Sequence, residues 1–167
     1  RVLYENYDMD KREAEDLLDF VAMATVCDVM SLTGENRILV KEGLKRIRHT
    51  KNIGLQALMQ ACNVQPENIS AYHFGYVLGP CVNATGRLDT ARHALRLFET
   101  GQETEAEEIA RDLVDLNQER KELTLQGVEM AKKLCEEGGY ENDPVLVLFL
   151  PDVHESIAGL IAGRIRE

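Results

Sequence analysis

A carboxylate placed on an apolar stripe is the first feature of this sequence with chemical potential. Leu17, Val21, Ala24 and Asp28 recur at helical spacing, so a helix through them is expected to bury Asp28 among apolar groups. An unpaired buried charge is costly, and Asp28 therefore needs a cation, a metal ion or a cluster of N–H groups. The structural alternative is a capped or salt-bridged Asp near a helix end. One carboxylate does not make a metal site, because divalent ions in phosphoryl-transfer sites are held by several oxygen and imidazole ligands. If Asp28 is a ligand, its partners are expected outside this chain.

The second candidate is the stretch Gly79-Pro80-Cys81-Val82-Asn83-Ala84-Thr85-Gly86-Arg87, read as an irregular loop from its two glycines and its proline. Gly86 and Gly79 let backbone approach a ligand closely. Asn83 and Thr85 offer hydrogen bonds, and Arg87 offers a planar fork suited to phosphate. The alternative is a helix-connecting loop in which Arg87 pairs with an acid such as Asp89. His73 and His93 read as ordinary surface or core histidines. His154 is better placed, at the junction of an expected strand and an expected helix, where ligand sites gather in α/β sheets.

The four cysteines, Cys27, Cys62, Cys81 and Cys135, are widely spaced with no CxxC pair, and read as free thiols of a reducing, cytoplasmic compartment. No run of about 18 apolar residues is present, so no membrane partner is expected. A net charge of −10 argues against nucleic acid, whose binding is driven by Lys and Arg. The charges are unevenly distributed, however. Residues 37–51 hold six Lys or Arg against one acid, Glu42, whereas residues 99–122 hold nine acids against three bases. The basic cluster is either a solvated helix face or a basic patch.

The elements that must position these residues are mostly helical. Asp10 and Glu13 resemble a capping pair for a helix to about Met30. Thr33 to Asn36 reads as a turn, followed by a helix through Ile47 with Gly43 inside it, then a short helix over about 53–62. Ser70 is a candidate cap for a helix through Leu78, and Asp89 for one ending near Phe98. The longest element is expected over about 104–137, opened by a Thr104–Glu107 capping box and stopped by Gly138-Gly139. Its seam, Ile109, Leu113, Leu116, Arg120, Leu123, Gly127, Met130 and Leu134, breaks at Arg120 and Gly127. A spacer between two domains therefore fits better than a coiled-coil dimer. The apolar run Val145 to Leu150 reads as a strand covered on both faces, with a helix from about His154. A lone strand needs partners, so this end is expected to continue or to borrow a sheet.

In these same places the sequence resembles a known family. Leu18 to Leu32, with its Thr25-Val26-Cys27-Asp28-Val29 core, is similar to the last metal-binding motif of the DHH phosphoesterases. Gly34-Glu35-Asn36-Arg37 with Gly43-Leu44 continues the pattern of RecJ-like single-stranded-DNA exonucleases within that superfamily. Gly79 to Leu88 resembles the family's most characteristic segment, and Val153 to Arg164 the opening of the DHH-associated C-terminal domain. Cys81 stands where many relatives have Arg. Val153, Ser156 and Gly163 replace the usual Trp, Gly and Ser, and the upstream Asp-His-His signature is absent.

The resemblance implies a mainly α fragment of an α/β protein. Residues 1–33 would be the C-terminal end of a DHH domain, 34–100 a helical segment completing it, 101–138 a connector helix, and 139–167 the first strand-helix unit of the C-terminal domain. It also implies a 5′-to-3′ exonuclease of DNA repair and recombination, in which two Mn²⁺ or Mg²⁺ ions activate water against the phosphodiester. Asp28 would be a metal ligand, and Arg87, Asn83, Gly86, His154 and Arg164 would contact single-stranded DNA. The fragment alone would be inactive; the oligomeric state stays open, with a monomer favoured. The alternatives are a DHH phosphodiesterase acting on short oligonucleotides or cyclic dinucleotides, and a non-enzymatic helical module that self-associates through the 104–137 seam.

Overall fold

The computed structural model describes residues 2, 6, 7, 14–140 and 143–166, all of whose regular structure is helical. The expected Asp10–Glu13 capping pair lies outside the described residues. Helix α1 is Leu18–Cys27, α2 Gly34–Arg46 and α3 Ile53–Ala61; α2 is followed by a 3-10 turn, Ile47–His49. A single α turn, α4 (Ala71–His73), runs through a π-helical segment, Phe74–Leu78, into α5 (Gly79–Leu88). Then come α6 (Ala91–Glu99), α7 (Glu103–Gly138) and α8 (Glu155–Arg166). No described helix is long and apolar enough to cross a membrane.

The largest correction concerns residues 79–88, which are helix and not an irregular loop. A proline inside an α-helix lacks an N–H and clashes with the carbonyl four residues back. Here the π segment widens the turn just before Pro80, and the Gly79 N–H donates to the Phe74 carbonyl five residues back. The proline therefore sits in the first turn of α5, where it is tolerated. Ser70 caps this composite helix as expected: its N–H donates to His73 Nδ1 (3.2 Å) and its hydroxyl lies 2.9 Å from the same nitrogen.

Several helix ends differ from expectation by a turn or less. Helix α1 stops at Cys27 rather than Met30, and Gly34 to Asn36, expected in a turn, begin α2. Thr90, not Asp89, caps α6 by accepting the Arg92 N–H. Helix α7 starts after Gln102 and forms no Thr104–Glu107 capping box, while Gly139, at φ +67°, ends it in the left-handed conformation that glycine favours. Asn52 caps α3 by accepting the Leu55 N–H (2.9 Å) and donates to the Phe98 carbonyl (2.8 Å), tying the start of α3 to the end of α6.

Helix α7, 36 residues and about 54 Å long at about 1.5 Å per residue, carries both hydrophobic clusters. Its first half packs Ala106, Ile109, Ala110 and Leu113 into the main core with Leu55, Leu58, Phe74, Leu78 and Leu97. Its second half offers Val128 and Ala131 to Ile157 and Ile161 of α8. The buried face drifts from the expected seam: Asn117, Thr124 and Val128 are buried, while Met130 and Leu134 are exposed. A helix that packs against globular neighbours follows the 3.6-residue period, whereas the expected seam followed 3.5. Gly127, read as a break in that seam, is where α8 approaches: a Cβ there would stand 2.3 Å from Ile161 Cδ1.

The strand expected over 145–150 does not form, and no strand exists among the described residues. Val145, Val147 and Phe149 are exposed, while Leu148 and Leu150 rest on the second cluster. An isolated extended segment has no partner for its backbone hydrogen bonds, so a continuous apolar run alone does not make a sheet.

Candidate nucleic-acid interface

Asp28 is exposed at the C-terminal end of α1, not buried. The stripe that was expected to cover it is itself open, with Leu17 and Ala24 also exposed, because α1 turns Ala22 and Met23 toward the core. Two features fix the carboxylate's position. Cys27 donates its thiol to the Phe74 carbonyl (3.4 Å), and the missing Cβ of Gly79 leaves room for that sulfur, since a Cβ would sit 2.3 Å from it. Burial, and then the neighbouring Asp28 carboxylate, push the Cys27 thiol above its ordinary range, so it stays a donor. Immediately after Asp28, Val29 adopts φ +55°, a strained conformation for a β-branched residue and one of two non-glycine residues with positive φ among those described. Strain of this kind gathers at functional sites.

Asp28 fits a divalent ion as one open carboxylate: no described side chain donates a hydrogen bond to it. The described residues contain no group of three or more His, Cys, Asp or Glu side chains able to hold a metal. They supply one ligand of such a site and not the site.

The other candidates come together at the C-terminal end of α5. Arg87, in its last turn, donates from Nη1 to the Ser156 carbonyl in the first turn of α8 (2.7 Å). The expected alternative partner, Asp89, instead lies 2.9 Å from His93 Nδ1. Arg87 thus bridges two helices and keeps most of its five N–H donors for a ligand. Asn83 and Gly86 are exposed on the same helix and line, with Thr85, Arg87 and Ser156, an open hollow of about 630 Å³. A Cβ on Gly86 would meet nothing within 4 Å, so packing does not require that glycine. His154 immediately precedes α8; its Nδ1 accepts the Ser156 N–H (3.3 Å) and lies 2.6 Å from the Ser156 hydroxyl. With Nδ1 accepting, the neutral ring carries its proton on Nε2.

Arg120 is the residue that sequence reasoning missed, having taken it for a seam defect. It is half-buried on α7 and donates from Nε and Nη2 to Asn117 Oδ1 (3.2 and 3.0 Å). Burial first, then the nearby guanidinium groups of Arg87 and Arg164, pull Arg120 below the ordinary arginine range. Guanidiniums from three helices thus lie near enough to repel one another, and among the described residues none has a carboxylate within ion-pair distance. A buried arginine in a seam is itself the signal that would have found it. Cys81 is buried and faces α7, with its sulfur 3.5 Å from Asn117 Nδ2 and 3.8 Å from Cys62. All four cysteines are free thiols, as expected.

No family model matches the chain. Curated relatives do match: the chain is 38% identical over 157 residues to the single-stranded-DNA-specific exonuclease RecJ of Escherichia coli, covering 91% of this chain and 27% of that protein. It is 36% identical to RecJ of Thermus thermophilus over 149 residues, covering 89% of this chain and 21% of that protein. The crystal structure of Thermus thermophilus RecJ in complex with Mg²⁺ superposes with a TM-score of 0.81 at 33% identity, over 98% of this chain and 25% of that one. A structure of exonuclease RecJ bound to manganese gives the same TM-score and identity, over 40% of its chain. In sequence and in fold the chain is RecJ-like over nearly all its length, and it spans about a quarter of the RecJ proteins it matches.

Proposed function

We propose that this chain works within a longer 5′-to-3′ single-stranded-DNA exonuclease, contributing one metal ligand and a strand-binding surface. The observation that carries this reading is the convergence of Arg87, Arg120 and Arg164 without acidic partners, on a chain 38% identical to a named single-stranded-DNA exonuclease. Charge-assisted bonds from planar guanidinium forks suit phosphate oxygens, and like charges brought near one another are tolerated where an anion completes them.

In this reading Asp28 is one of several ligands to Mn²⁺ or Mg²⁺, ions that when bound supply an activated water and neutralise developing charge. Arg87, Asn83 and the open backbone at Gly86 grip the strand from α5, while Arg164 and His154 Nε2–H approach from α8. The Arg87–Ser156 bond holds these two helices in register, so the grip is set before the strand arrives. Residues 1–100 then belong to the metal-bearing domain, α7 to a connector, and 139–167 to the opening of a second domain.

The test is nucleotide release from 5′-phosphorylated single-stranded DNA with Mn²⁺. The intact enzyme is expected to release nucleotides, this chain alone to release none, and Asp28→Ala to lower turnover of the intact enzyme by about a hundredfold or more. Because Asp28 is exposed, the variant should keep its circular dichroism. Near-normal turnover of Asp28→Ala at saturating Mn²⁺ would return the residue to a helix-capping role.

A further inference from the structure

We propose that the basic face of α2 and the 3-10 turn after it is a second strand-binding surface, which holds the phosphate backbone of single-stranded DNA. The inference rests on the exonuclease reading and deepens it. Arg37, Lys41 and Lys45 recur once per helical turn, and Arg48 extends the row into the Ile47–His49 turn. These four cations rim a hollow of about 470 Å³ whose floor includes Val40 and Leu44. It shares no residue with the hollow beside Arg87.

The pairing of charges separates this face from an ordinary solvated helix. Of the six bases in residues 37–51, Lys45 is held by Glu42 (2.7 Å), and Arg46 reaches Glu15 (2.6 Å) and Asp16 (3.4 Å). Among the described residues no carboxylate lies within 4.0 Å of Arg37, Lys41 or Arg48, although the chain carries a net charge of −10. With 29 Asp and Glu available against 19 Lys and Arg, a row in which three of four cations are left unneutralised faces an anion supplied from elsewhere. The Lys45 hydrogen bond, with Lys41 and Arg46 nearby, holds the Glu42 carboxyl below its usual range, in keeping with a positive local field.

A regular row of cations beside apolar side chains matches a single strand: phosphates follow the row, and sugars or bases cover Leu32 and Leu44. An acidic peptide would answer the charge but has no fixed charge repeat to match one cation per turn.

The experiment compares the intact wild-type protein with Arg37→Gln/Lys41→Gln/Arg48→Gln, titrating a 5′-phosphorylated oligothymidylate without divalent metal at several salt concentrations. Removing three phosphate contacts should reduce the slope of log K against log salt by about 2, at about 0.7 per contact, and weaken low-salt binding on the order of tenfold or more. Arg37→Lys/Arg48→Lys should keep the wild-type slope. All three residues are exposed, and if the triple variant nevertheless misfolds, Lys41→Gln alone should lower the slope by about 0.7. Wild-type slope and affinity in the folded variant would overturn the proposal. So would selective loss of polyglutamate binding with DNA binding intact, which would assign the face to an acidic protein. A wild-type protein that fails to bind the strand at all would count against the exonuclease reading itself.

Discussion

Gly86 is where stability and function separate most cleanly at the level of single residues. It lies in the last turns of α5 with open space where a Cβ would go, so alanine is sterically free there. Replacing an exposed helical glycine by alanine stabilises by roughly 0.5–1 kcal/mol. If Gly86 lets a strand approach the backbone beside Arg87, the same methyl group obstructs it. Gly86→Ala is therefore expected to raise the urea midpoint while weakening single-stranded-DNA binding by the intact protein. Improved stability with unchanged affinity would remove Gly86 from the strand surface and leave Arg87 and Asn83 to carry it. Asp28 shows the complementary pattern, in which position is fixed by neighbours: Cys27 is anchored to Phe74, and Val29 is held at positive φ.

Close contact between α1 and α2 depends on Gly43, and its chemistry is opposite to that of Gly86. A Cβ at Gly43 would stand 2.2 Å from the Leu18 carbonyl oxygen and 2.4 Å from Ala22 Cβ, a backbone atom and a methyl carbon that no rotamer change can move. Overpacking costs about 1–3 kcal/mol, and a 2.2 Å contact with a fixed atom falls in the upper part of that range, about 2–3 kcal/mol, against a helix-propensity gain of about 1 kcal/mol. Gly43→Ala should thus destabilise by roughly 1–2 kcal/mol in chemical denaturation, and it should disturb the α1 end that presents Asp28. A neutral or stabilising result would mean that the two helices can slide apart without loss.

The two hydrophobic clusters differ greatly in size, and this sets how the whole molecule opens. Among the described residues the main cluster holds nineteen buried residues; the second holds only Val128, Ala131, Ile157 and Ile161, flanked by the exposed Val145, Val147 and Phe149. Free energies of local opening follow buried apolar contact. In hydrogen exchange, amides of α8 should therefore lose protection well before those of α3 and α5, and the Arg87–Ser156 bridge should open with α8. Equal protection throughout would show that the clusters unfold as one unit. Charge also acts at this scale. The acids concentrated on residues 99–122 and the bases on 37–51 let an acidic chain keep separate basic surfaces.

The sequence by itself determined the helices whose signals are local. The short helix over about 53–62, Ser70 as a cap, and Gly139 as a stop are all satisfied within a few residues of themselves. Its motifs also determined the resemblance to RecJ, since motif order needs no packing. Tertiary structure decided what depends on distant partners. Pro80 entered a helix because a π turn absorbed it, Arg120 joined a basic cluster assembled from three helices, and Asp28 stayed exposed because α1 buries its other face. The apolar run over 145–150 formed no strand because a ladder needs a neighbour, and sequence pattern records the preference for extension without supplying the partner.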